Sequence, residues 1–137
     1  MREIRKDPIH DRWVIIASDR TKRPHAFYRE DEKEEGRRDC PFCEGREDMT
    51  PPEIDSFRDN GKSDEPGWRV RVVPNKFPAL VDSTGPGCSM NGLIKKCSAY
   101  GKHEVIVETP DHDVELSTME IDEITNILRM YVRRYKK

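Results

Sequence analysis

Trp68-Arg69-Val70-Arg71-Val72-Val73-Pro74 alternates apolar and cationic side chains up to a proline. Alternation of period two marks a half-buried strand. It predicts Trp68, Val70 and Val72 on one face and Arg69 and Arg71 on the other. Pro74 ends the strand because proline lacks the ladder donor. A second alternating stretch runs from His103 to Glu108, with Val105 and Val107 opposed to Glu104, Ile106 and Glu108. Thr109-Pro110-Asp111 closes it. Upstream, Trp13-Val14-Ile15-Ile16-Ala17 is a short β-branched run between polar segments and reads as a third strand.

After these strands, Ser117-Thr118-Met119-Glu120 fits a Ser-x-x-Glu capping box and predicts a helix starting there. Ile121, Ile124, Ile127, Leu128, Tyr131 and Val132 form one apolar stripe at helical spacing. Arg129, Arg133, Arg134, Lys136 and Lys137 gather where the helix dipole favours cations. Residues 51–67 and 81–100 are punctuated by proline and glycine and read as loops, with a short extended piece near Ile54. The order strand, knuckle, strand, strand, helix implies an α+β fold with an antiparallel sheet and a C-terminal amphipathic helix.

The 137 residues fit one domain. Charged residues make up 38% and the AVILMFWYC set 34%, so the core is thin for the length. A net charge of −2 supplies no global field for nucleic acid, and the run Arg29 to Asp39 reads as a solvated loop. No apolar segment reaches the length of a membrane span and no signal peptide opens the chain. A soluble, cytoplasmic protein with no nucleic-acid or membrane partner is expected.

The four cysteines do not read as a disulfide framework. Cys40-Pro41-Phe42-Cys43 places two thiols on one side of a turn, which suits a tetrahedral zinc ion better than a redox pair, because no helix starts there to lower a thiol pKa. His112, His103, Cys88 and Cys97 are available as further ligands, although Cys88 and Cys97 read more simply as free thiols in a loop. His112 stands at a strand exit, where it can point beyond the sheet edge.

Two further groups suit a phosphorylated ligand. Arg20-Thr21-Lys22-Arg23 puts three cations within four residues just after a strand, and arginine grips phosphate bidentately. Asn75-Lys76-Phe77 lies between two prolines at a strand end. The asparagine amide both donates and accepts, which suits a nucleobase edge or ribose hydroxyl. Phe77 either stacks on a base or fills the core.

Taken in order, five stretches resemble the galactose-1-phosphate uridylyltransferase family. They are Arg5–Ile15, Arg20–Pro24, Cys40–Gly45, Val73–Ala79 and Glu104–His112. The resemblance implies a histidine-triad-like fold, with residues 1–137 forming an incomplete N-terminal half, truncated before the family's His-Pro-His motif. It implies zinc held by Cys40, Cys43 and His112. It also implies substrate contacts from Arg20, Thr21, Lys22, Arg23, Met49, Asn75, Lys76 and Phe77. In the full-length enzyme a histidine displaces glucose 1-phosphate from UDP-glucose, and the uridylyl-histidine then passes UMP to galactose 1-phosphate. No His-Pro-His occurs in this sequence, so no catalytic residue is assigned and the chain alone is expected to be inactive. A homodimer is expected from the family. The alternatives are a related ADP-sugar adenylyltransferase or phosphorylase, and a stand-alone zinc-knuckle binding module.

Overall fold

The computed structural model describes residues 2–22, 40–83 and 85–137. Seven strands and one long helix are present among them: β1 Arg2–Lys6, β2 Trp13–Ala17, β3 Asp55–Arg58, β4 Trp68–Pro74, β5 Cys88–Asn91, β6 Ile94–Ser98, β7 Glu104–Val107 and α1 Ile121–Tyr135. They build two antiparallel sheets, in the orders β2-β1-β6-β5 and β3-β4-β7. The fold is α+β, as the element order implies. The chain divides into two compact units: Met1–Ala26 with Phe77–His103, and Phe27–Lys76 with Glu104–Lys137.

The second unit holds the larger core. Val70 and Val72 of β4 meet Ile127 and Met130 of α1, with Phe57, Ile106 and Met119 packed against them. Burying each such side chain stabilises by about 1.5–3 kcal/mol. Phe57 stands opposite Val70, and Ile106 opposite Val72, so all three strands contribute to one face. The face of β7 carrying Glu104, Ile106 and Glu108 is thus the one under α1. Glu104 receives Arg134 at 2.7 Å, and the Tyr131 hydroxyl donates to Glu108. That carboxylate contact, with burial, pushes the Tyr131 pKa up to about 12.

Three sequence expectations need correction here. Arg71 does not face solvent, because Glu47, Thr50, Glu53 and Asp64 close around it. The residue is 1% exposed, and its guanidinium donates to Thr50, Glu53 and Asp64. The helix begins at Ile121 rather than at Ser117. Leu116–Thr118 form a separate 3-10 turn in which the Thr118 hydroxyl donates back to the Glu115 carbonyl. Met119 and Glu120 are extended, and the Glu120 N–H is taken by Glu123 at 2.9 Å. The cations at the helix end are not only dipole-matched. Arg133 and Arg134 reach the buried Asp55 at 3.0 and 3.1 Å, and the Glu104 hydrogen bond raises the Arg134 pKa. Of the predicted stripe, Ile127 is buried, whereas Ile121, Leu128, Tyr131 and Val132 stay exposed.

In the first unit, β5 and β6 form within the predicted loop 81–100, and β1 forms at Arg2–Lys6, where no element is predicted. Gly92 and Leu93 join β5 to β6, with Asn91 opposite Ile94. Gly92 takes φ +59°, a conformation that glycine adopts without strain. This register places Cys88 opposite Cys97, and the two form a disulfide with Cα atoms 4.0 Å apart. The free-thiol reading is overturned by that hairpin geometry, and the cysteines therefore give no argument for a reducing compartment. Among the described residues no helix is long and apolar enough to cross a membrane.

Candidate metal centre

Cys40 and Cys43 occupy a tight turn ahead of the 3-10 segment Glu47–Met49. The Cys43 N–H reaches the Cys40 carbonyl at 3.4 Å, and the Arg46 N–H reaches the Cys43 carbonyl at 3.2 Å. Gly45 follows with φ +83°, and a side chain there would meet open space. Backbone conformation rather than crowding is what favours glycine.

The third member comes from the other end of the unit. Beyond β7, the Thr109 hydroxyl accepts the Asp111 N–H and the Asp111 carboxylate accepts the Asp113 N–H, each at 3.2 Å. These two side-chain-closed turns bracket His112. Its Nδ1 lies 3.3 Å from Cys43 Sγ. One ligand atom from each of Cys40, Cys43 and His112 lies within 4.8 Å of the others. A tetrahedral zinc site has ligand–ligand edges of about 3.5–3.8 Å, from its Zn–S and Zn–N bond lengths. The set therefore needs to contract by about 1 Å at its widest edge. Two thiols and an imidazole are soft to borderline donors, of the kind that transition-metal ions take. Their residues line a cleft of about 280 Å³ whose walls include Phe42, Val107 and Val114. The cluster can coordinate a metal ion.

The knuckle is tied to the sheet by two carboxylates. Glu44 accepts the Gly67 N–H at 2.6 Å, just ahead of β4. Gly67 has φ +97°, and an added Cβ would collide with Asn60. Glu47 accepts the Trp68 indole N–H at 2.7 Å and the Gly45 N–H at 3.1 Å. Burial works to raise the Glu47 pKa, but the Trp68 hydrogen bond, the backbone donors and the Arg71 charge outweigh it and hold the carboxyl low. Sequence reading assigned Glu44 and Glu47 no role. The signal available was their position within the six residues around the knuckle glycine.

The remaining predicted residues fall elsewhere. Arg20, Thr21 and Lys22 lie in the 3-10 turn Ser18–Lys22 that follows β2 in the first unit. Arg23 lies outside the described residues. Met49 is exposed in the second unit, its sulfur 3.6 Å from an Arg46 guanidinium nitrogen. Asn75 and Lys76 follow the end of β4, with Asn75 half-buried and Lys76 exposed. Phe77 is half-buried where the chain re-enters the first unit. His103 is not a member of the Cys40–Cys43–His112 cluster: its ring accepts the Ala79 N–H at 2.9 Å within the first unit.

Comparison with known proteins gives a family match along the whole chain. The family described as "Galactose-1-phosphate uridyl transferase, N-terminal domain" matches residues 1–137. ADP-glucose phosphorylase of Arabidopsis thaliana is 35% identical over 139 residues, covering 96% of this chain and 38% of that protein. Galactose-1-phosphate uridylyltransferase of Thermotoga maritima is 27% identical, covering 98% of this chain and 35% of that protein. A solved uridylyltransferase structure superposes with a TM-score of 0.60 at 29% identity, over 98% of this chain and 35% of the other. The chain spans a little over a third of the length of these relatives.

Proposed function

Since the chain belongs to the galactose-1-phosphate uridyl transferase family, matching its N-terminal domain, we propose that it is the metal-organised sugar-nucleotide-binding part of a nucleotidyltransferase or phosphorylase. The observation that carries this reading is the convergence of Cys40, Cys43 and His112 from two ends of one unit, in a chain matched along its whole length. The bound ion would be zinc, cross-linking the knuckle to the β7 exit. The chain's own residues would do the rest. Arg20, Thr21, Lys22 and Arg23 would hold the ligand's phosphates, and Asn75, Lys76, Phe77 and Met49 would meet the nucleoside.

An ADP-sugar is the favoured ligand, because an ADP-glucose phosphorylase matches at 35% identity against 25%, 27% and 32% for three uridylyltransferases. Transfer of UMP between UDP-glucose and galactose 1-phosphate is the second reading, favoured by the several uridylyltransferases that also match. In either case the transferred group would pass through a histidine absent from these 137 residues, in a longer, homodimeric protein. A stand-alone knuckle module is disfavoured, since the family match extends far beyond residues 40–45.

Calorimetric titration of the zinc-loaded chain with ADP-glucose and with UDP-glucose tests the reading. Tighter binding of ADP-glucose, weakened by Asn75→Ala, is expected. Tighter UDP-glucose binding would move the assignment to uridylyl transfer, and binding of neither would contradict the ligand set.

A further inference from the structure

We propose that Glu47 is the positioning residue of the metal knuckle, turning the Cys40–Cys43 thiols toward His112. The inference rests on the metal reading above and names what in this chain aims the ligands. Glu47 is a buried carboxylate, 5% exposed, in a segment of few residues with no apolar core of its own. A buried carboxylate is costly unless its oxygens are matched by donors. Here one oxygen takes two donors: the Trp68 indole N–H at 2.7 Å and the Gly45 N–H at 3.1 Å. Trp68 is fixed at the start of β4 and is itself buried. Gly45 is two residues beyond Cys43, in the left-handed conformation that turns the chain out of the knuckle. The carboxylate therefore links the buried start of β4 to the peptide that follows the knuckle.

The backbone of Glu47 is held as firmly as its side chain. Its carbonyl accepts the Thr50 hydroxyl at 2.9 Å and an Arg71 guanidinium N–H at 3.4 Å. Arg71 in turn is neutralised by Glu53 and Asp64. Glu44 adds a second tie, to the Gly67 N–H. The hydrogen bonds just named end on the knuckle's backbone and on its neighbours rather than on a cysteine sulfur or His112, so the effect on the metal argued from them runs through knuckle geometry. Groups that orient ligands in this way typically change metal affinity by about 10- to 100-fold when removed.

The contact geometry makes a sharp prediction, because both donors converge on the same oxygen. Glutamine keeps a carbonyl oxygen and should serve almost as well as glutamate, whereas alanine should not. Cobalt(II) titration of the 137-residue chain, followed through the visible bands of tetrahedral thiolate coordination, reads this directly. Glu47→Ala should weaken cobalt binding about 10-fold or more and alter the bands. Glu47→Gln should restore both. Trp68→Phe, which deletes one donor and keeps the ring, should fall between them and carries the test should Glu47→Ala not fold. Val72→Ala lowers stability from the core without touching the knuckle and should leave the bands unchanged. Unchanged cobalt affinity in Glu47→Ala or in Trp68→Phe would overturn the inference. So would an equal loss in Val72→Ala at matched melting temperature. Failure of the wild-type chain to take cobalt would overturn the metal reading itself, and this inference with it.

Discussion

The three-stranded sheet buries Val70 and Val72 under Ile127 and Met130 of α1, and closes Thr50, Glu53 and Asp64 around Arg71. Among the described residues of its own unit, the four-stranded sheet has no comparable cover. Trp13, Val14 and Ile15 of β2 are each about half exposed, Leu93 at the hairpin turn is 84% exposed, and Ala79 and Ala99 are its buried apolar residues. What holds the second kind of sheet is the ladder itself, the Cys88–Cys97 cross-link and charge. Lys6 and Lys95 both approach the Trp13 ring within 6 Å, at 5.9 and 5.8 Å. One sheet is therefore stabilised mainly by removing apolar area from water, the other by pairing and covalent closure. The candidate metal cluster belongs to the first kind, where a rigid strand stands behind the knuckle.

The largest effect should come from the packed unit. Ile127→Ala is expected to cost about 2–5 kcal/mol, measured by denaturant unfolding, since it opens a cavity among fully buried neighbours. A cost near zero would mean that α1 is not the lid of that sheet. Reducing the disulfide should act on the other unit. Closing a loop of this length is worth about 2–3 kcal/mol in the chain-entropy account. Hydrogen exchange should then quicken across β5 and β6 while the amides of α1 keep their protection. Equal loosening of both units would break the distinction drawn between them. Trp13→Ser should be the mildest change, within about 0.5–1 kcal/mol, because half the ring is already in water and its cation contacts are exposed ones. A cost as large as that of Ile127→Ala would show that the β2 face is covered in solution.

The sequence was most legible where apolar periodicity was strong. Alternation in β4 and β7 and the helical spacing around Ile127 all led to elements that form. β1 failed to register because Arg2-Glu3-Ile4-Arg5-Lys6 carries four charges around one apolar residue, so its pairing depends on neighbours on both sides. β5 and β6 were hidden for a similar reason, although Asn91-Gly92 is a strong hairpin signal. The turn that forms is Gly92-Leu93, which sets Asn91 opposite Ile94 and Cys88 opposite Cys97; centring it on Asn91-Gly92 would have set Cys88 opposite Lys95 and missed the disulfide. The capping box was misplaced by three residues, since Glu120 fits Ser117 as its partner in sequence but pairs with Glu123 in the fold. For the site, the residue types were legible and the distances were not. Nothing local to Cys40–Cys43 says that a turn 69 residues later brings His112 within 3.3 Å of Cys43. The buried Arg71 was misjudged because alternation gives the face of a strand, not what covers it.

The most direct test of the account is the zinc content of the purified chain, compared with that of His112→Ala, by elemental analysis after dialysis against a weak chelator. One zinc per wild-type chain, lost in His112→Ala while the fold persists, is the predicted result. A wild-type chain without zinc, or a variant that holds it as tightly, would contradict the Cys40–Cys43–His112 centre.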